Sequence, residues 1–272
     1  AVYSSFHLKK QAGGHAHDDI LSLTIFANNT DYLVDNGRFT YVDKAERNLF
    51  KDSFSHNGLA VDNLPNSIYK GSWDSKYLAW SNAPFTKSTT LFDYAEAEMT
   101  GYQRLADPVI TKRRVLYLKP NIWLLFDSFS AKEEHKYSQF FNFPNKEVQT
   151  KDNAITTTYT NNNLLIQPIK EVASTITDSW YSPEYNSKKE SKRVELFKNS
   201  KGFDSFISLI YFPESTQLTY AKTAVYTRSN ALLSDKDAEA VTITVGNKTY
   251  TLLVVYNSPD ITTHFFKIND TI

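Results

Sequence analysis

The chain has no cysteine, a single methionine, eight glycines and nine prolines among 272 residues. Without cysteine there is no disulfide and no thiolate metal site. The compartment stays open on that count, because many exported bacterial proteins also lack cysteine. Scarce glycine and proline exclude collagen-like repeats and low-complexity linkers. An excess of one charge is missing too. Thirty Lys and Arg balance thirty Asp and Glu, so no global field draws the chain to nucleic acid or to a membrane surface, and neither is expected as a partner. No apolar run is long enough to span a bilayer. There is no initiator methionine and no visible signal peptide. The chain enters at once on Val2-Tyr3-Ser4-Ser5-Phe6-His7-Leu8, which reads as a strand. It is therefore expected to be a fragment or processed product, with a periplasmic, secreted or cell-surface parent preferred over a cytoplasmic one.

Aromatics are abundant, with 17 Tyr and 18 Phe, and these suit strands better than helices. Short alternating or apolar runs recur between turn residues. They include 21–27, 109–118, 122–126, 137–143, 154–160, 164–169, 194–197, 206–212, 241–245 and 249–256. Gly246-Asn247 predicts a hairpin between the last two. Tyr94 to Met99 has helical propensity but is too short to stand alone; the alternative is a strand facing a charged partner. Residues 235–240 read as one exposed turn, and 182–193 as a long polar loop. Lys112-Arg113-Arg114 reads as ordinary exposed surface on a strand. No linker or repeat is evident, so residues 1–272 are predicted to form one all-β domain, a large antiparallel multi-sheet β-sandwich.

Candidate chemistry concentrates early, in Gly13-Gly14-His15-Ala16-His17-Asp18-Asp19, then Asp35 before Asn36-Gly37, then Ser55-His56-Asn57. On a strand, residues i and i+2 share a face, so His15 and His17 are expected to project together. Three protein ligands of the imidazole and carboxylate type suffice for a divalent metal with an open position. His17, Asp35 and His56 are candidates for that set. With no thiolate, the donors favour zinc, with manganese or calcium as alternatives.

At these residues the sequence resembles the C-terminal domain of the heparinase II/III polysaccharide lyases. The resemblance rests on Gly13-x-His15-x-His17-x-Asp19, Leu33-Val34-Asp35-Asn36-Gly37 with Tyr41, Arg47 and His56-Asn57. It continues through Phe126-Asp127-Ser128-Phe129, His135-Lys136-Tyr137 and Trp180-Tyr181-Ser182-Pro183-Glu184-Tyr185. It implies a supersandwich-type β-domain joined to an N-terminal (α/α) toroid of the same polypeptide. It also implies β-elimination on uronic-acid polysaccharides such as heparin, heparan sulfate or alginate. By the same resemblance His15 is the catalytic histidine in the cleft. His17, Asp35 and His56 hold a structural divalent metal, zinc first, and the toroid supplies a tyrosine acid with an Asn or His beside it. No long helical array is present here, so the chain alone is expected to bind metal and to have little or no lyase activity.

Tyr41, Arg47, Trp180, Tyr185, Lys188 and Lys189 are the candidate substrate-binding residues for an anionic polysaccharide. Arg47 suits a bidentate carboxylate contact, or pairs with Asp43 or Glu46. Trp73, Trp80 and Trp123 read as packing residues, and His135 and His264 as rim or packing histidines. A rival reading is a non-catalytic carbohydrate-binding module. A third is a stand-alone zinc hydrolase, with His15 a ligand and Asp18 or Asp19 the base.

Overall fold

The computed structural model describes residues 2–8, 15–42, 45–227 and 229–256, with backbone alone for 266–268. Gly13, Gly14, Asp43 and His264 lie outside the described residues. The fold is all-β, a large antiparallel multi-sheet sandwich. The structure groups the chain into two compact units, Ala1–Phe212 and Pro213–Ile272. Strand patterning continues unchanged on both sides of Pro213, so the sequence carries no mark of the division.

In the first unit the largest sheet has eight strands. Their order is Val148–Lys151, Ala154–Thr157, Leu165–Pro168, Asp204–Tyr211, Ile122–Ser130, Ile110–Leu118, Phe92–Met99 and Ser81–Ser88. A second sheet runs Ala173–Glu184, Ser187–Lys201, Glu134–Phe143, Leu59–Val61. Ile122–Ser130 is buried at every position but its last, which is why it reads as a continuous apolar run rather than an alternating one. Phe129 stacks on Tyr137 of the second sheet with ring centroids 4.4 Å apart. A three-stranded sheet, Val2–Phe6, Leu23–Ala27 and Thr30–Leu33, adds to the same core, where Trp123 Nε1 donates to Ser4 Oγ at 3.2 Å.

The second unit has its own small core around Val225, Ala238 and Ala240. Ala238–Val245 and Lys248–Val255 form the hairpin predicted at Gly246-Asn247, with Gly246 at φ +60°. Residues 235–237 form a turn and 238–240 already belong to the strand.

Tyr94 to Met99 takes the strand alternative, and its charged partners are Lys112 at 2.8 Å and Arg114 at 3.3 Å from Glu96. Two expectations fail for identifiable reasons. Residues 182–193 are not a loop. Tyr185-Asn186 turns one long strand into another, and both faces of that hairpin end stay largely exposed, so no alternation marks it. Arg113 is fully buried rather than a surface residue.

Arg113 lies directly across from Asp127 in the register, and the two form a two-point pair with both contacts at 2.8 Å. Gln139 of the second sheet donates to Asp127 Oδ2 at 2.6 Å and accepts from Ser208 Oγ at 2.7 Å. Arg113 Nη1 also donates to the backbone oxygens of Leu21 and Asn57. Removing one partner of a buried, hydrogen-bonded ion pair leaves a charge without compensation. Arg113→Met is expected to lower the unfolding free energy by roughly 3–5 kcal/mol, read by urea denaturation. A loss within the range of an exposed ion pair, below about 1 kcal/mol, would contradict that role.

Candidate metal and carbohydrate site

Residues 15–22 form no strand, and the two histidines part ways. His17 is half-buried and its ring lies 5.5 Å from that of His56. His15 is exposed and packs edge-on against Tyr41 and Trp73, with centroids 4.8 and 5.5 Å away.

Asp35 follows the strand Thr30–Leu33, and its Oδ1 accepts from Gly37 N at 2.9 Å. That turn sits on the long hairpin, since Ser182 N donates to Asn36 O at 2.8 Å. Gly37 has φ +78°, and a Cβ there would stand 2.1 Å from Ser182 O, so only glycine fits. His56 follows the short 3₁₀ turn Ser53–Ser55, capped by the Asp52 side chain accepting from Phe54 N. His56 Nδ1 lies 3.0 Å from Asp35 Oδ2. Even so, neither ring nitrogen of this fully buried histidine makes a well-directed hydrogen bond.

Donor atoms of His17, Asp35 and His56 all lie within 4.8 Å of one another. Burial and then the nearby His56 push His17 down to about 4, so its imidazole is neutral at neutral pH, the form that binds a metal. For Asp35, burial acts to raise the pKa, but the facing His56 more than offsets it and the carboxyl ends below its usual range. Burial also opposes charge on His56, yet Asp35 carries it up to about 9. Neutral His17 and ionised Asp35 are ready donors for a divalent cation, and His56, whose ring nitrogens are poorly satisfied, would join them by releasing its proton.

Asn57 stitches together the segments that carry the three residues of the cluster. Its Nδ2 donates to Leu23 O at 2.8 Å and Val34 O at 3.0 Å, its N donates to Ser22 Oγ, and its Oδ1 accepts from Asn142 N at 2.6 Å. The aspartates flanking His17 are engaged. Asp18, 1% exposed, takes Ser67 N and Ser67 Oγ at 2.8 Å each, and burial pushes it up to about 6. Asp19 Oδ2 meets His7 Nδ1 at 2.8 Å. Neither is an open base, and exposed His15 packs against the rings of Tyr41 and Trp73, so the hydrolase reading lacks the base it needs.

Around His15 lies a surface of rings and cations. Arg47 sits in the helix Ala45–Lys51, is 1% exposed, and donates to Thr40 O at 3.1 Å. Its guanidinium lies 4.1 Å from the Trp73 centroid and 5.0 Å from that of Tyr41. It therefore supports the rings from beneath instead of offering an open fork to a carboxylate. Trp73 is 45% exposed, not a packing residue. The turn that bears it docks on the helix through Ser72, which accepts from Lys51 Nζ and donates to Asn48 Oδ1. Trp80 is exposed as well, whereas Trp123 is core. Arg38 bridges Tyr41 and Tyr185 at 5.1 and 5.5 Å. Lys188 Nζ lies over Trp180 and Phe39 at 4.7 and 4.9 Å, and Lys189 Nζ over Tyr181 at 5.3 Å. Trp73, Arg38 and Phe39 were missed in the sequence. The signal for Trp73 is an aromatic inside a Gly-Ser-Trp-Asp turn, where a packing role is unusual. His135 is nearly buried between Asp62 at 2.6 Å and Asp107 at 3.1 Å, so it packs as expected.

The family model described as "Heparinase II/III-like, C-terminal" matches residues 3–238. The chain belongs to that family. Among solved structures, heparan sulfate lyase HepC from Pedobacter heparinus aligns with a TM-score of 0.74 at 18% identity, over 95% of this chain and 40% of that one. A heparinase III gene product aligns at 0.72 and 14%, over 93% and 38%. A further heparinase III structure aligns at 0.66 and 16%, over 88% and 36%. At these identities the likeness establishes the fold, and this heparinase II/III-like chain spans about two fifths of the length of those structures. No curated protein matches the chain.

Gly37→Ala tests the geometry of the Asp35 turn. The positive φ and the clash with Ser182 O should push the turn off the hairpin and pull Asp35 from His56. A lowered melting temperature together with weakened metal binding is expected in a calorimetric titration. Wild-type metal affinity in a folded variant would show that the turn does not position Asp35.

Proposed function

We propose that the chain is the β-sandwich part of a polysaccharide lyase that cleaves an anionic, uronic-acid-containing polysaccharide of the heparan sulfate type by β-elimination. The observation that carries this reading is the exposed His15, packed against Tyr41 and Trp73 and two residues from His17 of the His17–Asp35–His56 cluster, in a chain of the heparinase II/III-like family.

The reaction removes the proton at C5 of the uronate. The freed electron pair forms the C4–C5 double bond, the C4–O bond breaks, and the leaving glycosidic oxygen takes a proton. Removal at C5 requires that charge developing on the uronate carboxylate be stabilised. His15 stands at the surface where a sugar chain would pass, and an imidazole can act as base or as carboxylate partner near neutral pH. Tyr41, Trp73 and Tyr185 offer ring faces to sugar rings, while Arg38, Lys188 and Lys189 supply the positive field an anionic polymer needs. His17, Asp35 and His56 would hold a divalent ion, zinc by donor type, whose contribution is to brace the wall that carries His15. The proton donor to the leaving oxygen comes in this reading from an N-terminal toroid of the same polypeptide. Alginate is the alternative substrate, as it carries the same uronate chemistry without sulfate. The exposed rings also suit a carbohydrate-binding module, and binding without turnover once a toroid is joined would favour it.

Two measurements test the reading. The chain alone, incubated with heparan sulfate or alginate, should give no rise in the ultraviolet absorbance of the unsaturated product; robust turnover would overturn the division of labour between two domains. Elemental analysis of the purified chain should find a divalent metal that His17→Ala loses. Unchanged metal content in that variant would remove His17 from the ligand set.

A further inference from the structure

Between the helix Ala45–Lys51 and the long hairpin lies a cavity of ≈ 230 Å³. Leu49 and Phe50 form one wall and Trp180 another, with Ser55 and Ser179 behind and Arg193 among the lining residues. The guanidinium of Arg193 is poorly used by the protein. Nη1 donates to Phe54 O at 3.3 Å, and the group lies over Phe54 and Phe140 with centroids 5.9 and 5.4 Å away. Its Nε is buried and has no hydrogen-bond partner. No carboxylate among the described residues ion-pairs with it. Asp178, also lining the cavity, is held by Lys192 Nζ at 2.7 Å, which masks its charge.

A half-buried, under-bonded cation whose Nε is shut away from water without a partner costs free energy unless an acceptor arrives. The volume lies below the roughly 300–1,000 Å³ of pockets that enclose a drug-sized molecule, so the space fits one group of a longer ligand. The cavity also adjoins the ring surface. Trp180 in its wall carries Lys188, which also covers Phe39; Phe39 packs on Phe50 at 5.5 Å, and Phe50 lines the cavity.

We propose that this cavity is an accessory subsite that takes one anionic substituent, a carboxylate or a sulfate, of a sugar chain lying across the ring surface, with Arg193 as the group that receives it. Trp180 stacks on the sugar bearing that substituent, and Ser179, whose Oγ accepts from Asn36 Nδ2 at 3.3 Å, keeps its proton to donate; the Ser55 hydroxyl is already given to Leu49 O. The inference rests on the carbohydrate reading above and adds a second contact point, away from His15.

The test is calorimetric titration of the purified chain with two size-matched glucuronate-containing oligosaccharides, one unsulfated and one sulfated. Arg193→Gln and, separately, Trp180→Ala should each weaken binding by about tenfold or more, equivalent to about 1.4 kcal/mol. A loss confined to the sulfated ligand assigns the subsite to sulfate, and an equal loss with both assigns it to carboxylate. Trp180 is 37% exposed, so Trp180→Ala carries the test if Arg193→Gln fails to fold. If Trp73→Ala abolishes binding while folded Arg193→Gln and Trp180→Ala bind as wild type does, the subsite is overturned and the carbohydrate reading stands. If the wild-type chain binds neither oligosaccharide, both fall.

Discussion

The buried pair of Arg113 and Asp127 is the joint on which the rest of the first unit depends. It joins two neighbouring strands of the eight-stranded sheet, takes Gln139 from the facing sheet, and uses its remaining donor on the Leu21 and Asn57 carbonyls. Two charges withdrawn from water are tolerated only when each lone pair and proton finds a partner, and here those partners are the segments that present His17 and His56. Folding the sandwich and setting the distance between the two ligand loops are therefore one event. Asn57 extends the same network to the Asp35 segment through Val34.

Above that joint the polar side chains divide into two environments. In the His17–Asp35–His56 cluster, burial and then the members' own charges set which groups are ionised. The surface from Trp73 to Trp180 is built from rings and cations that stay wet on one side. Arg47 belongs to both, since its buried guanidinium underlies Trp73 and Tyr41 while its backbone lies in the short helix. A seven-residue helix has little stability of its own; this one is held by the burial of Arg47, Phe50 and Lys51 and by the Ser72 contacts.

How much of this was legible in the sequence depended on whether a residue's environment is local. Strand stretches with one wetter face, such as residues 241–244, announce themselves by alternation. Ile122–Ser130 shows as an apolar run because both of its faces are dry. The His17–Asp35–His56 cluster was legible because imidazoles and carboxylates are rare in apolar sheets and cluster around Asn-Gly and His-Asn steps. The hairpin from Ala173 to Lys201 was hidden because its far end is wet on both sides, which removes the periodicity. Arg113 was misread because its burial is decided by Asp127, 14 residues away on the next strand, and by carbonyls further off still. Trp73 escaped because its exposure depends on a turn docking onto a helix whose own formation is a tertiary effect.

The cluster of His17, Asp35 and His56 also bears on the unfolded chain. An ion held by all three would close two consecutive loops, 17 to 35 and 35 to 56, in a polypeptide that has no cysteine with which to cross-link itself. For a covalent cross-link, the loop-closure entropy removed from the disordered ensemble is worth roughly 3 kcal/mol at about this loop length. Metal coordination does the same thing reversibly, with a strength set by free metal concentration. Cation availability would then decide how firmly the first fifth of the chain is closed onto the sandwich.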